Sequence, residues 1–273
     1  MIHSEKYIQS GAHKIYTQSW IIENAKANVG IIHGMWEYGG RYTHVALYLN
    51  SRGYNVFAMD HIGHGKSDGK KGHVDSYELL LDSVQSFLNE IKSQSNLETF
   101  LYGHSMGGNV LTNFLIKRQP AIQGAILSSP WYQLAEAPPT FQLWLAKVMI
   151  NIYPSFQDTA KVDQAGISRD PIEVEKYKND PMVFNKITPA FFFGVYEAGL
   201  YAIEHAKEIK VPSLLFHGTA DRLTSYKGSE ALAKNANSNV ELVLLEGMYH
   251  ETHNDIGKEK VLQMIGDWLD KKV

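Results

Sequence analysis

Apolar positions along this chain follow two periods, and the two alternate over most of its length. Short apolar runs predict strands over 29–33, 54–59, 100–102, 122–127, 211–217 and 240–245, those at 29–33 and 100–102 buried. The stretch 14–22 has strand character after a turn signal at Ser10 and Gly11. Between these runs apolar residues recur at helical spacing. Tyr42, Val45, Ala46 and Leu49 mark one face of a helix over 41–51, which Gly53 stops. Leu80, Val84, Phe87, Leu88 and Ile91 mark a second helix, which Ser76 is placed to cap. Further helices are predicted over 109–117, 225–235 and 258–269. Strands alternating with helices predict an α/β fold. Its sheet is mainly parallel and covered on both faces, with sites at the carboxyl ends of the strands.

The alternation stops between 131 and 205, where no clear strand pattern appears. Helical runs over 141–153 and 191–205 lie among Pro138, Pro139, Pro171, Pro181 and Pro189. The expected organisation is one core built from residues 1–130 and 206–273, with a helical cap at 131–205 inserted into it. Trp131, Phe141, Trp144, Phe191, Phe192 and Phe193 crowd this segment, and most are expected to pack the cap onto the sheet. The helix over 141–153 is apolar around much of its circumference, which means deep burial or an exposed patch with a purpose. Leu143, Trp144 and Met149 on it are candidates for an acyl-chain tunnel or a membrane-facing lip.

Composition narrows the function classes. With no cysteine in 273 residues, disulfides, thiolate metal sites and a cysteine nucleophile are excluded. The net charge of −3 is spread along the chain, and no basic stretch points to nucleic acid. The first twenty residues are polar, unlike a secretory signal, and the stretch 141–152 is too short and too interrupted to span a bilayer. The expected location is the cytoplasm, with room for peripheral contact at membranes.

The candidate chemistry lies at Gly103-His104-Ser105-Met106-Gly107. A strand, a tight Gly-x-Ser-x-Gly turn and a helix form a nucleophile elbow, in which the serine hydroxyl stands clear of the sheet. Gly65-Lys66-Ser67-Asp68-Gly69 matches the same pattern, but it sits in a polar glycine-rich loop with no helix starting at the serine, so Ser105 is the candidate nucleophile. A serine hydroxyl needs a base, and the base needs an orienting carboxylate. Asp221 follows the strand at 211–217, and His250 follows the strand at 240–245, so both are expected on the edge that carries Ser105. The backbone N–H groups of Met106 and Met35 are the candidate oxyanion donors. His61 with His64 and His250 with His253 lack the spacing and helical context of zinc ligands, so no metal site is predicted. Chemistry of this kind requires no cofactor.

These motifs resemble the α/β-hydrolases, and more closely the monoacylglycerol lipases. The likeness runs through His33-Gly34-Met35-Trp36-Glu37-Tyr38-Gly39-Gly40-Arg41, Asp60-His61-Ile62-Gly63-His64-Gly65 and the elbow. It continues in Ser168-Arg169, Tyr177-Lys178-Asn179-Asp180-Pro181, Ala220-Asp221-Arg222-Leu223 and Tyr249-His250-Glu251-Thr252-His253. The resemblance implies an α/β-hydrolase fold with an inserted helical cap and a serine esterase that cleaves monoacylglycerols. It also implies that Glu37, Arg41, Tyr177 and His253 hold the glycerol head at the polar end of the pocket. Arg41 and Glu37 have a simpler alternative, an ion pair that braces the loop. A lysophospholipase, a short-chain carboxylesterase and a non-catalytic ligand-binding module remain the rival readings. The partners expected are a lipid or small ester substrate and a membrane surface touched through the cap.

Overall fold

Phe100 and Tyr102 point to one face of the central sheet and Leu101 to the other, and each face is covered by its own helices. The computed structural model describes residues 1–153, 155–160 and 163–273. Eight strands make the sheet: β1 (Ile2–Ser10), β2 (His13–Ile21), β3 (Ala27–Ile32), β4 (Tyr54–Met59), β5 (Thr99–His104), β6 (Gly124–Ser128), β9 (Ser213–Gly218) and β10 (Val240–Leu245). Their order is β1-β2-β4-β3-β5-β6-β9-β10. The pairs β1–β2 and β2–β4 are antiparallel, and every other pair is parallel.

On one face, α1 (Thr43–Ser51) contributes Val45, Ala46 and Leu49, and α8 (Lys258–Asp270) contributes Val261, Ile265 and Trp268. They share a core with Val29, Ile31, Phe100, Tyr102, Ile126 and Phe216. On the other face, α2 (Tyr77–Gln94), α3 (Met106–Arg118) and α7 (Tyr226–Asn235) meet Ile32, Leu101, Leu127 and Leu215 through Val84, Phe87, Val110, Phe114 and Leu232. Each fully buried aliphatic or aromatic side chain of this kind contributes roughly 1.5–3 kcal/mol.

Between β6 and β9 run α4 (Thr140–Ile152), α5 (Pro171–Asn179) and α6 (Pro189–Glu204), with the short antiparallel pair β7 (Asp158–Thr159) and β8 (Lys186–Ile187). Apolar periodicity cannot reveal strands of two residues. α6 is tied to the sheet layer: Phe191 and Val195 belong to its core, and Asn109 and Asn113 on α3 donate to the carbonyls of Val195 and Ala198, both at 3.0 Å. Among the described residues no helix is long and apolar enough to cross a membrane.

Three local expectations need correction. β1 was not foreseen because it is an edge strand, exposed over most of its length, so no burial pattern marks it. The helix expected over 41–51 is split: a 3-10 turn, Gly39–Tyr42, precedes α1, and the Gly39 N–H that opens it is bonded to Asp60 Oδ1 at 2.8 Å. Ser76 occupies the N-cap of α2 with extended backbone, but its side chain makes no capping hydrogen bond.

Sheet register positions the chemistry. Ile32, Gly103, Leu127, Leu215 and Leu242 form one row across β3, β5, β6, β9 and β10. The loops that leave these parallel strands therefore emerge on a single edge.

Candidate active site

Ser105 sits between β5 and α3 with φ 53° and ψ −118°, a conformation that costs a non-glycine residue of order 1–3 kcal/mol. The turn holds because its flanks are glycine. A Cβ on Gly103 would come within 2.6 Å of the Gly107 carbonyl oxygen, and one on Gly107 would strike the carbonyls of Ile32 and His33. Bonds from Ser105 N–H to Ser128 O (2.9 Å) and from Trp131 N–H to Ser105 O (3.0 Å) fix the strained peptide.

His250 Nε2 lies 2.8 Å from Ser105 Oγ, and its Nδ1 lies 2.6 Å from Asp221 Oδ2. Burial alone would depress the imidazole, but the Asp221 carboxylate overrides it and the pKa of His250 is raised above 6.5. Burial would raise Asp221, yet His250 and His217 hold its carboxylate well below the usual range. Leu223 and Thr224 donate backbone N–H groups to Asp221 Oδ1 at 2.8 and 3.0 Å. Asp255 steadies the histidine loop by accepting the Tyr249 N–H at 2.8 Å, while Arg169 donates to the same carboxylate through Nε at 2.9 Å. Ser67 is remote from this chemistry: it accepts the Tyr16 N–H and donates to Asp60 O, which makes it part of a loop brace.

The loop after β3 carries Met35, buried and lining the cavity beside Ser105. His33 sets this loop. Its Nε2 accepts the His61 N–H at 2.9 Å, so the proton is on Nδ1, which donates to Gly34 O at 2.7 Å. Burial beside His61 and His64 keeps His33 neutral, its pKa well below 6.5. In a trans peptide, anchoring the Gly34 carbonyl turns the Met35 N–H the opposite way. The Gly34 N–H is held by Glu37 Oε1 at 2.6 Å. His61 and His64 each give a ring N–H to a backbone carbonyl, those of His33 and Ile62. They brace the loops beneath the site.

A cavity of about 780 Å³ opens over Ser105. Trp36, Trp131, Leu134, Ile187, Phe192 and Leu223 make much of it apolar, Glu37, Tyr177 and Glu251 form a polar end, and Glu136, Asp163 and Arg222 add charge elsewhere on its wall. Arg41 lies behind that end and donates to both carboxylates, to Glu37 at 2.7 Å and in a fork to Glu251 at 2.7 and 2.8 Å. Its guanidinium also lies 4.7 Å from the centre of the Tyr177 ring. Burial would raise Glu251, but Arg41 holds it down to about 2. Glu37 is raised by burial, with Arg41 opposing.

The four residues expected at a glycerol head therefore divide. Glu37 and Tyr177 line the cavity, whereas Arg41 and His253 do not. His253 is fully buried, stacked on Tyr42 at 4.8 Å and set edge-on to His104 at 4.8 Å. Glu37 already accepts from Gly34, Arg41 and Tyr42 (2.7 Å), so bracing is its evident work. Reasoning from sequence missed Glu251, Thr224, His217 and His33. Only His33 and Glu251 carried any signal, each lying inside a run that resembles the lipase family, His33-Gly34-Met35 and Tyr249-His250-Glu251. Leu143, Trp144 and Met149 do not line the cavity.

A family model described as serine aminopeptidase, S33 (Hydrolase_4) matches residues 23–257. A monoglyceride lipase homolog of monkeypox virus is 33% identical over 95% of this chain and 95% of that protein. The chain belongs to the monoacylglycerol lipase family of α/β-hydrolases. The crystal structure of a monoacylglycerol lipase from Paleococcus ferrophilus superposes on this member of the lipase family with a TM-score of 0.88, at 32% identity, covering 95% of this chain and 99% of that one. An abhydrolase domain-containing protein of Dictyostelium discoideum is 32% identical over 90% of this chain, which spans 26% of that protein's length. The lipase-family fold thus carries an elbow serine, a histidine and a carboxylate within hydrogen-bond reach of one another at the base of a half-apolar cavity.

Proposed function

We propose that the protein hydrolyses the ester bond of monoacylglycerols, releasing fatty acid and glycerol through an acyl-enzyme on Ser105. The observation that carries this reading is the line Ser105–His250–Asp221 beneath a cavity that combines an apolar lining with a polar group of Glu37, Tyr177 and Glu251. Membership of a family with monoacylglycerol lipase relatives supports the substrate class. Ser105 Oγ attacks the ester carbonyl while His250 Nε2 takes its proton, and Asp221 stabilises the imidazolium. The N–H groups of Met35 and Met106 receive the oxyanion. His250 returns the proton to the departing glycerol oxygen. Water then repeats the sequence on the acyl-enzyme and frees the acid.

Tyr177, with Glu37 and Glu251 beside it, faces the glycerol hydroxyls, and Arg41 keeps the carboxylates in place. Residues 131–205 act as the cap over the site. Within α4, Phe141 and Trp144 are 68% and 59% exposed and stacked on each other at 6.1 Å, which suits contact with a lipid surface. Replacing both by Ser should slow hydrolysis of monoacylglycerol in vesicles and leave a soluble butyrate ester unaffected; equal rates on vesicles would remove the membrane contact.

A substrate panel tests the main reading. Purified protein should prefer 2-oleoylglycerol over dioleoylglycerol, trioleoylglycerol and lysophosphatidylcholine in kcat/KM. A preference for the lysophospholipid, or for acetate esters alone, would replace the proposed substrate.

A further inference from the structure

His217 lies on β9, fully buried, with both ring nitrogens engaged. Nε2 is 3.0 Å from Asp221 Oδ2, and Nδ1 is 2.8 Å from Ser229 Oγ on α7. An ionised carboxylate only accepts, so Nε2 carries a proton. The oxygen it addresses is the one that holds His250 Nδ1 at 2.6 Å, and Thr224 Oγ1 stands 2.9 Å from it as well. Asp221 Oδ2 therefore divides its charge among His217, Thr224 and His250.

We propose that His217 is a positioning residue for the hydrolysis: its Nε2–H fixes the Asp221 carboxylate and draws off charge that would otherwise act on His250. This rests on the reading of Ser105, His250 and Asp221 as the catalytic triad. Hydrogen bonds to a carboxylate stabilise its charged form and weaken it as a partner for any one neighbour. With the His217 donor removed, more charge on Oδ2 falls to His250 and favours the imidazolium. His250 then becomes a neutral base only at higher pH. The other groups acting on His250 are Glu251 on its own loop, Glu37 on the loop after β3, His104 on β5 with its ring 4.8 Å away, His253, and Arg41 behind the carboxylates. Thr224 is the one further group that meets both rings, its Oγ1 3.3 Å from His217 Nε2 and 3.2 Å from His250 Nδ1, and it is retained in both His217 variants.

The side-chain nitrogen of Gln reaches the position of a histidine Nε2, and that of Asn the position of Nδ1. His217→Gln therefore keeps a donor for Asp221, while His217→Asn keeps a group for Ser229 and loses that donor. On a soluble nitrophenyl ester, His217→Asn should move the acidic midpoint of kcat/KM upward by about half a pH unit or more. It should also lower kcat about 10-fold with KM unchanged, as expected when a group acts through the transition state. His217→Gln should restore the wild-type midpoint. Ser105→Ala, measured alongside, tests the triad by itself. If Ser105→Ala is inactive and His217→Asn keeps the wild-type midpoint, losing only thermal stability, the role of His217 is overturned while the triad stands. Nitrogen NMR of the wild-type protein decides the matter even if both His217 variants fail to fold: a protonated Nε2 on His217 supports the proposal, and a bare Nε2 overturns it.

Discussion

The Nε2 of His250 lies 2.8 Å from the Oγ of Ser105, while Nδ1 of the same ring is held by Asp221 at 2.6 Å. This ring is a base only when neutral, and its pKa is raised above 6.5. Hydrolysis should therefore rise with pH to a plateau, with a midpoint above 6.5. Stability linked to the same group runs the other way. A raised folded-state pKa gives an increment fully present below the unfolded value and lost as pH rises through the folded one. A kcat/KM profile from pH 5 to 9 on a soluble ester, with melting of Ser105→Ala over the same range, checks both signs. An acidic optimum would remove His250 as the base.

Arg41 is the cation between two buried carboxylates, Glu37 and Glu251, and Arg41→Gln should cost about 3–5 kcal/mol. In the wild type the Glu251 contribution is present above about pH 4.5 and lost as pH falls toward about 2. In the variant, burial without the cation raises both carboxyl groups. Its deficit should therefore be larger at pH 8 than at pH 5. Urea unfolding at the two pH values measures this, and a pH-independent deficit would mean that packing dominates.

Tyr177 lines the cavity, and His253 is buried behind it, so the two should behave differently. Tyr177→Phe should lower kcat/KM for monoacylglycerol about 10-fold, the loss of one hydrogen bond worth about 1.4 kcal/mol. It should spare a nitrophenyl ester of the same acyl chain, whose leaving group has no hydroxyls. His253→Ala should impair both esters alike and lower stability by about 3 kcal/mol, as for an emptied aromatic site. Kinetics on the paired esters, with melting curves, separates these effects.

The central strands of the parallel sheet were legible because burial on both faces leaves near-continuous apolar runs, as at 29–32 and 54–59. Glycines around Ser105 and the strand ends before Asp221 and His250 brought the triad candidates to one edge. What escaped has a physical reason in each case. β1 is an exposed edge, so its residues follow no apolar period. Whether Arg41 touches substrate or braces Glu37 depends on which carboxylates fold toward it, and Glu251 arrives from the far end of the chain. His217 looked like an ordinary strand residue, since its partners Asp221 and Ser229 are set by tertiary packing. His253 sits within a polar motif, yet a turn of its loop buries it.

Hydrolysis of 2-oleoylglycerol by the wild type and by Ser105→Ala tests the proposed chemistry most directly. The wild type should turn over, and Ser105→Ala should lose about 10⁴-fold or more in kcat while melting at nearly the same temperature, because members of such a triad act as a unit. Ser67→Ala should stay active. A folded Ser105→Ala protein that retained activity within about 10-fold of the wild type would contradict the nucleophile, and with it the acyl-enzyme mechanism.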